Sequence, residues 1–531
     1  MGSARSGETK RFDLFVLDTP ALTIAFWGAV LLATAAFYTT RYLPLIDYQQ
    51  HVAVAALLHR LFDARAPEHA TYAMNLVTYN GGFHVIVAVL AYLMPVEQAA
   101  RVVMSTYPLL LSCAALAVAR TTDRPRWYAL LIIPITYSRA MAWGFANWNL
   151  TFPIAVLGIC WFVRYARGER SMFFRILFAA CFCAYGHVLA MLCLCFGVLV
   201  VLLSRVIALS STWAGRVSRM AAMSLPLMPG VAWCVLVYRY QTTSSFTNWS
   251  DAYTNGEDDP LWYKLWHLLD MSVGNFRDRS DDALFLAALA IVFALLFSAA
   301  PEARPTQEQA SLDLRAMRWL AVAFFGCYLV IPKAFVATWF IYERFPTLAV
   351  LFLVGALPVR LFPRGMELRT AAAVVAVASS ANLVRQFATT EETADALAIV
   401  DDMPRGKKLL QVTYEPSTSR NKREIYLHLA ALYQARTSAP IGCAFTKYES
   451  MPVHTKPGTT PPQVPRGFEW NGALYDPRSD LARAYDLTLV RAPDLDSPTD
   501  LVFRDEAKSV KLLSHRGRFW LYDTSALAPP P

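Results

Sequence analysis

Apolar residues along this chain come in long uncharged runs, and polar and charged residues gather in short clusters between them. A helix of about 17–25 apolar residues matches the hydrocarbon thickness of a bilayer. The pattern predicts spans near 21–43, 99–119, 126–142, 145–163, 172–186, 188–204, 220–238, 283–299, 319–332, 346–361 and 370–386, about eleven in all. The run Phe83–Met94 is too short to cross and reads as a half-span or re-entrant piece. Past Phe387 the runs stop, and the pattern changes to short strands and helical spacing. Lys408–Tyr414 and Tyr485–Arg491 read as strands, and Ser509–Ser514 with Arg518–Tyr522 as a pair joined at His515-Arg516-Gly517. Lys422–Gln434 reads as a helix with Ile425, Leu429 and Tyr433 on one face. The predicted fold class is therefore an α-helical polytopic membrane protein with a small C-terminal α/β domain. Its divisions are an amino-terminal segment 1–20, a transmembrane module 21–390 and a soluble domain 391–531.

Composition supports this class. The chain is 56% hydrophobic and 17% charged, against about 25% charged in a soluble domain. The net charge of +9 does not point to nucleic acid, because the arginines sit in clusters between spans: Arg124/Arg126, Arg164/Arg167/Arg170/Arg175, Arg205/Arg216/Arg219 and Arg360/Arg364/Arg369. Such clusters mark cytoplasmic loops. Of nine cysteines only Cys443 lies outside the apolar runs, which excludes a disulfide framework. Residues 1–19 hold Lys10 and Arg11 but no small-residue cleavage site, so the first span reads as a retained anchor. With the amino terminus and every arginine cluster in the cytoplasm, an odd span count places 391–531 on the outer face. The loops 44–98 and 239–282 then also face outward.

That topology collects the unusual residues on one side. Asp47 opens a short helix on which Asp47, His51, Val54, Leu58, Leu61 and Phe62 share a face, with Gln49, Arg60 and Asp63 opposite. An N-cap role would explain the acid; it would not explain His51 on the same apolar face. His187 falls in a turn between two short spans, where it is either solvated or part of a site. The loop 239–282 carries Trp249, Asp251, Glu257, Asp258, Asp259, Trp262 and Trp266. Its aromatics suit a bilayer interface, and its acids are of the kind that ligate a divalent metal, without fixed ligand spacing. Lys333, Glu343 and Arg344 bracket a late span boundary, where charge is costly unless it faces water or a partner. Arg344 could snorkel to headgroups, pair with Glu343, or hold a phosphate in its guanidinium fork. No phosphate loop, serine-hydrolase elbow or zinc-protease motif is present, and no cofactor is implied.

Leu45-Ile-Asp47-Tyr-Gln-Gln-His51, Gly-His187-Val-Leu and Glu343-Arg344-Phe-Pro, set among many short spans, resemble the GT-C superfamily. These are membrane glycosyltransferases such as bacterial aminoarabinose transferases and protein O-mannosyltransferases, and the resemblance covers roughly residues 20–390. It implies an enzyme of the bacterial inner membrane that moves a sugar from a polyprenyl-phosphate-linked donor to an extracytoplasmic glycan, lipid or protein acceptor, with inversion. It also implies Asp47 as catalytic base, with His51 beside it and His187, Lys333, Glu343 and Arg344 at the substrate. Family members often carry two acids in the first outer loop; here His51 follows Asp47 instead, which bears on the acceptor and on any metal. The rival class is a lipid or sugar-lipid transporter, or an envelope polysaccharide ligase or polymerase. A transporter would be expected to show internal repeats, and none is evident between the halves.

Overall fold

The computed structural model describes residues 16–209, 212–243, 259–297, 308–335, 338–359, 365–448, 450–465, 467–492 and 497–527. Among the described residues seven helical stretches are long and apolar enough to cross a bilayer: Pro20–Tyr38, Val96–Thr121, Ala146–Ala166, Val188–Arg205, Trp213–Gln241, Ser280–Phe297 and Gly365–Ala388. Each falls on an expected span, and the chain is an integral membrane protein of mostly helical fold. Three of the other four expected spans are built differently, while the fourth, 319–332, lies largely in the 23-residue helix Glu308–Val330. Residues 126–142 form the 3-10 helix Arg126–Ile135, which contains Pro134, and then the helix Arg139–Ala142. Residues 172–186 form the 14-residue helix Phe173–Gly186, about 21 Å long and short of the ~30 Å hydrocarbon core. Residues 346–361 hold the 12-residue helix Phe345–Ala356, packed on Glu308–Val330. Phe83–Met94 contains only the nine-residue helix Gly82–Leu90.

Ala146–Ala166 is the central helix, packed against Tyr107–Thr121, Phe173–Gly186 and Val188–Leu209. At one end of this bundle Asp313, on Glu308–Val330, receives Arg167 from the end of the central helix and Arg205 from Val188–Leu209. Asn149, in an Asn-x-Thr triplet, is fully buried on the central helix, so that triplet is not a glycan acceptor. A second such triplet, Asn248-Trp-Ser, lies outside the described residues, as do Asp251, Glu257 and Asp258.

The C-terminal region carries a four-stranded sheet in the order Leu409–Thr413, Leu487–Arg491, Phe519–Asp523, Lys511–Arg516. The first pair is parallel and the other two antiparallel. Gly517 takes φ +53° in the turn of the last hairpin, a left-handed conformation that suits glycine. Strand alternation divides the sheet's residues between two cores. Leu409, Leu487, Leu489, Phe519 and Leu521 join the core of the membrane module, while Leu410, Val412, Val490, Trp520 and Tyr522 build a separate cluster on the other face. The strands agree with the sequence pattern. The helix expected over 422–434 does not, and only Ala430–Thr437 is helical.

The same region covers the helix Tyr48–Leu61. Ala430–Thr437 packs along that helix, and strand Tyr72–Met74 pairs antiparallel with Val453–Thr455. The expected polar face is therefore not solvated. Gln49 and Gln50 are buried along with the apolar residues, His59 and Arg60 are half-buried, and full exposure begins at Asp63.

Candidate functional site

Asp47 is placed by backbone contacts. The Ile46 and Asp47 amides donate to the carbonyls of Ala142 (3.1 Å) and Trp143 (2.8 Å), and the Tyr137 hydroxyl donates to the Pro44 carbonyl at 3.0 Å. Gly144, at φ +74°, lets the two chains approach this closely: a Cβ there would lie 2.7 Å from the Tyr48 nitrogen. Asp47 holds the N-cap position of Tyr48–Leu61, yet its side chain makes no capping hydrogen bond. Its Oδ1 lies 3.1 Å from Nε2 of His428 instead. The capping explanation for this acid is thereby replaced by a carboxylate–imidazole pair, 14% and 5% exposed in its side chains. Burial pushes the Asp47 carboxyl above its usual range, against the hydrogen bond to His428, which lowers it. Burial pulls His428 down, but its hydrogen bonds to Asp47 and Cys443 outweigh this and hold the imidazole well above its ordinary value. The pair is a carboxylate accepting a hydrogen bond from the ring's Nε2–H.

His51 turns to a different partner. Its Nδ1 lies 3.0 Å from Nε2 of His84, whose own Nδ1 faces the Asn80 carbonyl at 2.8 Å. The carbonyl requires a proton on His84 Nδ1, so His84 Nε2 accepts from His51 and the second nitrogen of His51 carries a lone pair. Burial and then the charges of His84, His187, Arg344 and His428 hold His51 far below the usual imidazole range, hence neutral.

Arg344 completes the cluster. It is 3% exposed, donates from Nη1 to Nε2 of His187 at 2.9 Å, and lies over the Phe145 and Trp148 rings at 4.0 and 5.6 Å. Arg344 and Asp47 are within electrostatic reach, the cation favouring the carboxylate and the reverse. His187 is buried at the end of Phe173–Gly186, not solvated in a turn. Glu343 does not pair with Arg344. Its Oε2 accepts from Arg139 Nε at 2.6 Å and from Trp143 Nε1 at 3.1 Å. Arg139 extends the network to Asp270, which also meets Lys422 and Arg423, each at 3.4 Å. Lys333 pairs with Asp259 at 3.7 Å, and Asp259 accepts from the Tyr342 hydroxyl at 2.5 Å. Trp262 and Trp266 are exposed on the short helix Leu261–Trp266.

The structure thus gathers Asp47, His51, His187 and Arg344, sets Glu343 directly behind them and leaves Lys333 in a neighbouring pair. The sequence reading missed His428 and His84. His428 was detectable by the spacing that singled out His51: it lies three residues past Ile425 on the apolar face assigned to 422–434. Among the described residues one group has metal-ligating side chains close together: His428, Cys443 and Glu469.

This architecture matches two solved structures of ArnT from Cupriavidus metallidurans, one bound to undecaprenyl phosphate and one in the apo state. The bound form aligns over 97% of this chain and 100% of its own at TM-score 0.59 and 12% identity. The apo form aligns over 96% and 99%, at TM-score 0.53 and 12% identity. The fold is that of ArnT. At 12% identity the likeness is one of fold alone. No family model matches the sequence, and no curated protein matches it. Within this fold, the acid–histidine–arginine cluster sits where the first loop, the central helix and the C-terminal region meet.

Proposed function

We propose that this protein transfers a sugar from a polyprenyl-phosphate-linked donor to an acceptor hydroxyl outside the cytoplasm. The observation that carries this reading is the largely buried Asp47 carboxylate, held by His428 and facing the field of Arg344. Asp47 takes the acceptor's proton as its oxygen attacks the anomeric carbon. The bond from that carbon to the phosphate oxygen breaks, and the electron pair leaves with the polyprenyl phosphate. A buried cation beside the departing phosphate stabilises the developing charge, and Arg344 is the residue so placed. A single displacement inverts the anomeric centre. The fold shared with a protein solved with undecaprenyl phosphate supports the donor class.

Topology fits the reading. Asp47 follows the first span and His428 follows the last, so their contact requires an even number of crossings between them and an odd total. The arginine clusters between spans support the reading that this face, with 391–531 on it, lies outside the cytoplasm and that the protein belongs to a bacterial inner membrane.

Asp47→Asn tests the base. Asn keeps the shape and a hydrogen bond to His428 but cannot take a proton. Release of polyprenyl phosphate from lipid-linked sugars by the reconstituted variant should fall by about 10²–10⁴-fold, with the protein still monodisperse. Turnover near that of the parent would remove Asp47 from the chemistry.

A further inference from the structure

The acid–histidine pair continues on its far side into a set of donors that the transfer reading does not use. His428 gives Nε2–H to Asp47, and its Nδ1 lies 3.4 Å from the Gln50 amide nitrogen, which also donates to the Cys443 carbonyl. The ligand atoms of His428, Cys443 and Glu469 all lie within 4.8 Å of one another. Cys443 Sγ is 2.6 Å from Glu469 Oε2, and the Gln50 amide fixes the Cys443 carbonyl at 2.6 Å. All three residues line a small cavity, together with Gln50, Gln411 and Thr413.

We propose that His428, Cys443 and Glu469 form a divalent metal site for zinc. One nitrogen, one sulfur and one oxygen suit a borderline-soft ion; magnesium and calcium prefer oxygen alone. Tetrahedral zinc brings its ligand atoms to about 3.5 Å from one another, so small side-chain rotations bring this set onto the ion. Binding displaces the thiol proton to solvent and leaves Cys443 as thiolate. Three protein ligands and a cavity at the fourth position match zinc sites that keep a water or an exchangeable ligand. The Nε2–H of His428 donating to Asp47 is the outer carboxylate of a carboxylate–histidine–zinc arrangement, which fixes the tautomer and the ring orientation. The metal would then hold the ring that holds the carboxylate. The site rests on this geometry and stands or falls separately from the transferase reading.

The test uses the full chain purified in detergent, stripped with a chelator and dialysed against Zn²⁺ or Co²⁺. One zinc per chain by elemental analysis is expected, with a thiolate-to-cobalt charge-transfer band and a rise in unfolding temperature on metal addition. Cys443→Ser and Glu469→Ala should each weaken zinc binding at least 10-fold, and Cys443→Ser should abolish the cobalt band. Cys181→Ser, which changes an exposed cysteine elsewhere, should leave both unchanged. Metal-free variants with the parent's unfolding temperature show that lost binding is not misfolding. Substoichiometric zinc in the parent chain would overturn the proposal. So would a cobalt–thiolate band that survives Cys443→Ser.

Discussion

Gly144→Ala should impair the proposed base without altering any group in the cluster. Gly144 has φ +74°, and an added Cβ would meet the Tyr48 nitrogen at 2.7 Å and both the Asp47 nitrogen and Leu45 Cβ at 3.2 Å. Two of these neighbours are backbone atoms, which no rotamer change can move. Reaching ordinary contact at 3.4 Å requires the segments to part by about 0.7 Å, which strains the amide bonds that fix Ile46 and Asp47. The left-handed backbone costs an alanine about 1–2 kcal/mol and the overpacking about 1–3 more. Misplacing a reacting group by about 1 Å can cost on the order of 100-fold, so kcat should fall roughly 10- to 100-fold.

The control is Gly168→Ala. Gly168 has φ +100° with nothing within 4 Å of an added Cβ, so it carries the backbone cost alone. Release of polyprenyl phosphate by both reconstituted variants, compared with their unfolding temperatures, separates the two effects. Gly168→Ala should lose a little stability and keep its turnover; Gly144→Ala should lose turnover out of proportion to its stability. Equal turnover in the two variants would refute the claim that the Ala142–Gly144 turn sets the position of Asp47.

Arg344→Lys keeps the charge but loses the fork and the aromatic stacking, so binding of undecaprenyl phosphate should weaken by about 1.5–3 kcal/mol, roughly 10- to 100-fold in Kd. Titration of the lipid followed by native mass spectrometry measures it; a lowered unfolding temperature with unchanged Kd would make Arg344 a packing residue only. Glu343→Gln strips the charge from a buried acid that receives both Arg139 and Trp143. Because Asp270 still faces Arg139, the loss should be about 2–4 kcal/mol, somewhat under that of a fully orphaned buried charge. A thermal unfolding curve matching the parent's would show that the pair contributes nothing net.

The parts legible in the sequence were those set by local pattern. Seven apolar runs became membrane-length helices, and each expected strand formed, because period and length carry that information. The misreadings share one cause, which is contact with residues distant in sequence. The helix expected over 422–434 begins only at Ala430, because the carbonyls before it bond elsewhere: Ile425 accepts from the Tyr42 hydroxyl, and Tyr426 and Leu427 from the Gln411 amide. Helix Tyr48–Leu61 lost its expected solvated face because residues 430–437 cover it. Arg344 was separable from Glu343 only once Arg139 and His187 were in place, since a sequence shows the adjacent charge and not the distant one. Gly144 carries no turn signature in Trp143-Gly144-Phe145, and its role depends on the backbone of Asp47 lying against it.

The C-terminal region is a working wall of the site and not an appendage. Asp47 lies at the end of the first span, where on its own it would face water and behave as an ordinary carboxyl. His428 and its surroundings enclose it, and enclosure is the leading cause of its raised pKa. The fastening is distributed: strand Tyr72–Met74 on Val453–Thr455, Arg60 to the Ala435 carbonyl at 2.6 Å, Arg436 to Glu97 at 2.8 Å. Sheet residues of the region also reach into the core of the membrane module. A carboxylate desolvated in this way is a stronger base than an exposed one, and the hydrogen bond from its imidazole partner favours the ionised form. The acid, the arginine and the histidine that closes over them are thus held together by one packing arrangement.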